Sequence, residues 1–307
     1  MLKMKQEVTT RRLVLIKYLY EIGHEQSKQS DTFAGFSILT FHDCVEMLLI
    51  LIAEKKRKKK QEHFLEYWNV IIDLPYKEAM ENLNNIRKIL KHHGIFANKD
   101  EIDRCRIDAK VFLTDCFKSY FGYEFENLSL SSLISFNSVK EEINRAELLM
   151  NEGNNYECLE RCKIAFIKLI STYEYNKAEL SNSILDAGVR IGGDYRKLVK
   201  NNKDGSRWFE QVTKTTNTIR DIIKITALGI DYKRYALFDH ITPRVIEGCN
   251  STGTIYIPEQ KDSFEAHKSV TSEDCQFCIT FVVDCALKLQ EFDYDINKYM
   301  AKTNNSQ

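Results

Sequence analysis

Apolar residues recur at three- and four-residue intervals along most of the chain, and that spacing gives each of a series of helices one buried face. Leu13, Ile16, Leu19 and Gly23, with Tyr20 beside them, predict a first helix over residues 10–30. Phe36, Leu39, Asp43, Val45, Leu48, Leu49 and Ile52 predict a second over 32–60, which finishes in six consecutive cations, Lys55 to Lys60 with Arg57 among them. Phe64, Tyr67, Trp68 and Ile71 suggest a shorter helix over 61–73. Pro75 then marks a boundary, because proline opens helices rather than sitting inside them. Met80, Leu83, Ile86 and Leu90 form the stripe of a helix over 76–93, and Gly94 stands where a left-handed cap is wanted. A helix over 100–121 follows, with an acidic first turn and Ile102, Cys105, Ala109, Phe112, Leu113 and Cys116 on its inner side; Gly122 closes it.

Residues 122–137 are rich in Ser, Leu and Phe and predict a domain boundary. Beyond them the pattern gives an antiparallel helix pair, 139–150 and 154–175, across Glu152 and Gly153. Loops are expected at 188–194 and 201–205, a strongly amphipathic helix at 208–228, and a closing helix at 272–292. Residues 240–265 hold two of the three prolines and the short run Ile255-Tyr256-Ile257, so a hairpin or an ordered loop is expected there. The expected fold is all-α, with a helical bundle over 1–134 and a second helical domain over 135–307.

Composition narrows the class. Only 3 Pro and 12 Gly occur in 307 residues, which disfavours a loop-rich, many-stranded fold. Lys plus Arg total 44 and Asp plus Glu total 44, so attraction of the whole surface to nucleic acid or membrane is excluded. The first 134 residues carry 21 of those basic and 19 of those acidic residues, so neither half is a basic domain. Any polyanion must be held by a local patch. The 9 scattered cysteines do not form a disulfide framework, and they point to a reducing cytoplasm. The N-terminus lacks an apolar signal core, and the apolar run at 44–53 is about half a membrane span and contains Glu46. A soluble cytoplasmic protein without membrane contact is expected.

Most catalytic templates are absent: there is no phosphate loop, dinucleotide fingerprint, nucleophile elbow or HExxH. Cys275 and Cys278 form a lone CxxC, short of the four ligands that structural zinc needs, and read with Cys285 as buried structural thiols. No metal or cofactor is expected.

The segment 83–94 carries the candidate chemistry. On a helix, His93 falls near the Ile86 and Leu90 stripe and reads as a partly buried packing residue. His92 falls on the polar side with Asn85 and Lys88, in a last turn that also holds Lys91. A guanidinium such as Arg87 clamps non-bridging phosphate oxygens and stabilises charge growing in a transition state. An imidazole such as His92 takes a proton from an RNA 2′-hydroxyl or gives one to the leaving oxygen. That division of labour requires no metal. Lys56, Arg57, Lys58, Lys59 and Lys60 are a second local patch, read either as a solvated helix end or as an RNA-facing surface.

Arg87-x-x-x-x-His92 resembles the Arg-x(4–6)-His motif of HEPN domains, which are small α-helical bundles. The resemblance covers about residues 10–130. It implies a metal-independent endoribonuclease in which the Arg–His pairs of two domains meet at a dimer interface. Cleavage there leaves a 2′,3′-cyclic phosphate and a 5′-hydroxyl. Carried over by position, Arg87 holds the scissile phosphate and His92 is the general acid or base. Asp43 or Glu46 orients them, while Lys88, Lys91 and His93 support the site. The resemblance also implies RNA as substrate, a homodimer or higher homo-oligomer, and a role in bacterial defence or as a toxin with a partner protein or antitoxin. One departure is Lys88, where many active members place Asn, Asp or His. Lysine accepts no hydrogen bond and cannot orient His92.

A non-catalytic helical module that binds RNA or protein is the competing reading, supported by Lys88 and by the absence of a template in the second half. A DNA-binding role for the lysine run ranks last, since it would give affinity without base readout.

Overall fold

The computed structural model describes residues 2–175, 177, 203–251, 253–291 and 293. Among them are eleven α-helices and one two-stranded sheet, so the fold is mainly all-α. The chain divides into two compact units, Met1–Leu133 and Ile134–Gln307.

In the first unit, α1 (Leu2–Ser27) and α2 (Asp31–Lys55) form a helical hairpin. Helix α1 begins well before residue 10, because no proline or glycine interrupts residues 2–9. Helix α2 is the central one: Phe41, Val45, Leu48, Leu49 and Ile52 are all at 0% exposure. Each such burial contributes about 1.5–3 kcal/mol relative to exposure. Gly23 permits the close crossing of α1 and α2, since a Cβ there would lie 2.8 Å from the Phe41 ring.

Helix α2 stops at Lys55 rather than running to residue 60. The Lys58 and Arg57 N–H groups donate to the Ala53 and Glu54 carbonyls, and Arg57 takes a left-handed φ of 56°, which together close a Schellman-type terminus. Repulsion among six successive cations disfavours further helix. The helix macrodipole therefore favours Lys55 alone among these cations. Helix α2 is long and apolar enough over Thr32–Lys55 to cross a membrane, but most of its apolar stretch is buried inside the protein.

The helix expected over 61–73 is reduced to a 3-10 turn, Phe64–Glu66, and a single turn, α3 (Tyr67–Val70). The chain turns away at Ile71 so that Trp68 Nε1 donates to the Pro75 carbonyl at 3.0 Å. Helix α4 (Lys77–His93) ends at Gly94, whose φ is 66°. Helix α5 (Lys99–Cys116) opens on a capping box of Asn98 and Glu101, continues through a π turn, Phe117–Phe121, and closes at Gly122. Helices α4 and α5 both pack on α2, and a 3-10 turn at Leu130–Leu133 returns to α1.

The second unit is built on the hairpin of α6 (Asn137–Asn151) and α7 (Asn155–Tyr175), which turns at Gly153 with φ 79°. Helix α8 (Lys203–Ala227) starts inside the segment expected to be a loop over 201–205, and the loop expected at 188–194 lies outside the described residues. Helix α9 (Tyr232–Ile241) leads into an antiparallel hairpin, β1 (Val245–Asn250) and β2 (Gly253–Pro258), with Gly248 opposite Ile255. The short α10 (Lys261–Glu265) precedes α11 (Ser272–Glu291), which packs on α7, α6 and α9. Phe166, Phe238 and Phe281 form the aromatic centre of this unit, with Phe238 and Phe281 4.7 Å apart. Glu142, at 3% exposure, accepts from Lys168 at 2.7 Å and Arg161 at 3.4 Å and so ties α6 to α7.

Candidate functional site

Helices α2 and α4 run antiparallel. His42 Nε2 lies 3.2 Å from Asn84 Oδ1 at mid-helix. Towards the end of α4, Phe96 just beyond it stacks edge-on against Phe36, near the start of α2, at 5.2 Å. A Cβ at Gly35 would lie 2.4 Å from the Phe96 ring, so the glycine permits this closure. The C-terminal end of α4 therefore meets the N-terminal end of α2.

Arg87 lies on the inner side of α4 with Leu83, Asn84 and Leu90, all three buried. It is half-buried, and its Nε is buried without a hydrogen-bond partner. His92, five residues on, is turned about 140° round the helix axis and is exposed. His93 is exposed as well, contrary to the packing role expected of it. Leu90 is the last buried residue of α4, and Phe96 beyond it folds back over Gly35 and Phe36, leaving the imidazole in solvent. Lys88 and Lys91 are exposed too. Among the described residues, none of these five side chains has an ion-pair or hydrogen-bond partner, so this helix end is an uncompensated basic surface. Beside it, at the same end of the unit, an open cleft of about 650 Å³ is lined by Lys28, Asn98, Lys99 and Arg106 among others.

Asp43 and Glu46 do not come within ion-pair distance of Arg87. Both converge instead on His42 Nδ1, each at 3.8 Å. His42 is buried at 2% exposure, stacks on Phe64 at 4.3 Å, and has no hydrogen-bond partner at Nδ1. Of the described residues, His42, Asp43 and Glu46 are the group with the donor types and spacing to hold a metal, their ligand atoms lying within 4.8 Å of one another. Sequence reasoning picked out the two carboxylates and missed His42. Its i, i+4 relation to Glu46 was readable, but its contact with Asn84 on another helix was not.

The run Lys56, Arg57, Lys58, Lys59 and Lys60 lies beyond the opposite end of α2, about 20 Å along the helix from His42. Lys56 is bound to Asp73 at 2.8 Å and lies over the Tyr120 ring at 5.2 Å. The two basic segments are separate surfaces.

Two features of the second unit were hidden in the sequence. Helix packing brings Cys158 and Cys162 of α7 to Cys275 and Cys278 of α11, and Cys158 makes thiol contacts with both Cys162 and Cys275. Contact with Cys158 and burial push the Cys275 thiol up, and burial does the same for Cys278, so these are protonated, unreactive thiols. A cavity of about 770 Å³ lies between α7, α9, β1 and α10, with Lys163, His240, Arg244 and His267 in its lining.

No protein-family model, curated protein or solved structure matches this chain.

Proposed function

We propose that the chain is a metal-independent endoribonuclease of HEPN type that works as a homodimer. The observation that carries this reading is Arg87, a half-buried arginine with an unpartnered Nε, on a helix end that also presents the exposed His92. An arginine without an acidic partner is available to an anionic ligand, and phosphate is the ligand its planar fork fits best.

In the proposed reaction His92 takes the proton of an RNA 2′-hydroxyl, and the freed oxygen attacks the adjacent phosphorus. Arg87 binds the non-bridging oxygens as negative charge grows on them. The bond from phosphorus to the 5′-oxygen breaks, and that oxygen takes up a proton from solvent. The products are a 2′,3′-cyclic phosphate and a 5′-hydroxyl end. The angle of about 140° between the two side chains around α4 favours a site shared by two copies, one presenting arginine where the other presents histidine.

The nine described cysteines are all free, which supports a reducing compartment such as the cytoplasm. Defence or toxin-type RNA cleavage, with a partner protein or antitoxin restraining it, fits an enzyme of this class. The alternative, a non-catalytic RNA- or protein-binding module, is favoured by one feature: among the described residues no acceptor orients His92, and Lys88 cannot serve as one. Incubating the chain with RNA in chelator, and comparing wild type with Arg87→Ala and His92→Ala, separates the two readings.

A further inference from the structure

The cluster at the middle of α2 brings together ligand atoms that the ribonuclease reading does not use. Asn84 Oδ1 only accepts hydrogen bonds, so the contact at 3.2 Å makes His42 Nε2 the donor. That leaves Nδ1 as the ring nitrogen able to face a ligand. That atom is buried, has no hydrogen-bond partner, and faces Asp43 Oδ1 and Glu46 Oε2 at 3.8 Å each. One nitrogen and two carboxylate oxygens therefore converge at the surface of α2.

We propose that His42, Asp43 and Glu46 bind a divalent first-row transition metal ion of the zinc or manganese class. A nitrogen and two carboxylate oxygens, with further positions open to solvent, are a donor set those ions accept. Magnesium and calcium favour all-oxygen shells and are disfavoured by the imidazole. Metal–ligand bonds of about 2.0–2.2 Å span the two 3.8 Å separations from Nδ1 at an angle wider than tetrahedral, and rotation of the exposed carboxylates brings their oxygens into range. Side-chain exposures of 61% for Asp43 and 37% for Glu46, against 3% for His42, place the ion at the surface above a fixed imidazole. Asn84 holds the far ring nitrogen, as a hydrogen-bond acceptor behind a ligating histidine commonly does, and Phe64 fixes the ring plane. The helix supplies the rest: residues 42 and 46 share a face, and residue 43 is the neighbour that closes the group.

This inference is independent of the ribonuclease reading, and its test contains no RNA. The full chain, stripped with chelator and dialysed, is titrated calorimetrically with Zn²⁺ and with Mn²⁺, alongside Asp43→Asn and Glu46→Gln. Both substitutions are at exposed side chains, and circular dichroism checks that the fold is kept. The Mn²⁺ complex of the wild type is also examined by pulsed electron paramagnetic resonance for coupling to an imidazole nitrogen. The expected result is about one saturable ion per chain, binding weakened about tenfold or more in each variant, and a nitrogen coupling. Absence of saturable binding overturns the proposal. So does binding unchanged in both variants, or a Mn²⁺ signal without nitrogen coupling, either of which puts the ion elsewhere.

Discussion

His42 Nε2 and Asn84 Oδ1 lie 3.2 Å apart in the seam between α2 and α4, and this buried polar contact fixes the antiparallel register of the two helices. It sets what each end of the first unit presents. Arg87, one turn beyond Asn84, rises toward the start of α2, while the lysine run leaves from its far end.

Removing one partner of that contact strands the other. Asn84→Leu is expected to cost about 1–3 kcal/mol, because His42 Nε2 loses its acceptor in a site closed to water. Denaturant unfolding followed by circular dichroism measures it. A stability equal to wild type would show that the contact does not order the seam.

The two basic surfaces are expected to behave differently with RNA. Lys88→Ala with Lys91→Ala is expected to weaken binding of single-stranded RNA and to reduce its salt dependence, since both cations flank Arg87 without partners. Neutralising Lys58, Lys59 and Lys60 at the opposite end is expected to have the smaller effect. Fluorescence anisotropy across a salt series tests the order, and a larger loss from the distant run would reverse it.

Glu21 gives the first unit a pH dependence. Burial raises its carboxyl from 4.5 to about 7, although Lys110 and Lys17 partly offset this. The folded state thus holds a proton that the unfolded chain has released between those two values. Stability from this group is present at low pH and is lost as pH rises from about 4.5 through 7. Glu21→Gln removes that loss and is expected to gain about 1–3 kcal/mol relative to wild type at pH 8, and less at pH 5. Thermal melts at the two pH values test the sign.

Glu142 is the corresponding anchor of the second unit. Glu142→Gln leaves Lys168 and Arg161 without their shared carboxylate, and a loss of about 2–4 kcal/mol is expected. Calorimetry of the full chain measures it, with the transition of the second unit expected to move more than that of the first.

Much of the helical order was readable because one apolar stripe and one glycine cap define each long helix. Gly94 and Gly122 both take the left-handed φ that their positions suggested. Errors arose where local pattern competed with tertiary contact. The 61–73 stripe is interrupted because Trp68 reaches the Pro75 carbonyl. His93 keeps its place on the wheel, but Leu90 is the last buried residue of α4, so the periodicity ran past the part of the helix that is covered. At the candidate site, Arg87 and His92 stood out as residue types at a spacing. The partner of His42 is 42 residues away in the chain, and the four thiols that α7 and α11 bring together come from segments more than 100 residues apart. Spacing along one helix reveals neither.

The central claim is RNA cleavage by Arg87 and His92, and it is tested most directly by an assay in excess chelator. Purified wild type, Arg87→Ala and His92→Ala are incubated with end-labelled RNA, and the product ends are identified by phosphatase and kinase treatment. The account predicts cleavage by wild type to 2′,3′-cyclic phosphate and 5′-hydroxyl ends. It predicts losses of about 10²–10³ for Arg87→Ala and 10²–10⁴ for His92→Ala. It further predicts partial recovery when the two inactive variants are mixed, because each copy supplies the group the other lacks. No cleavage by wild type, or equal cleavage by all three proteins, would contradict it.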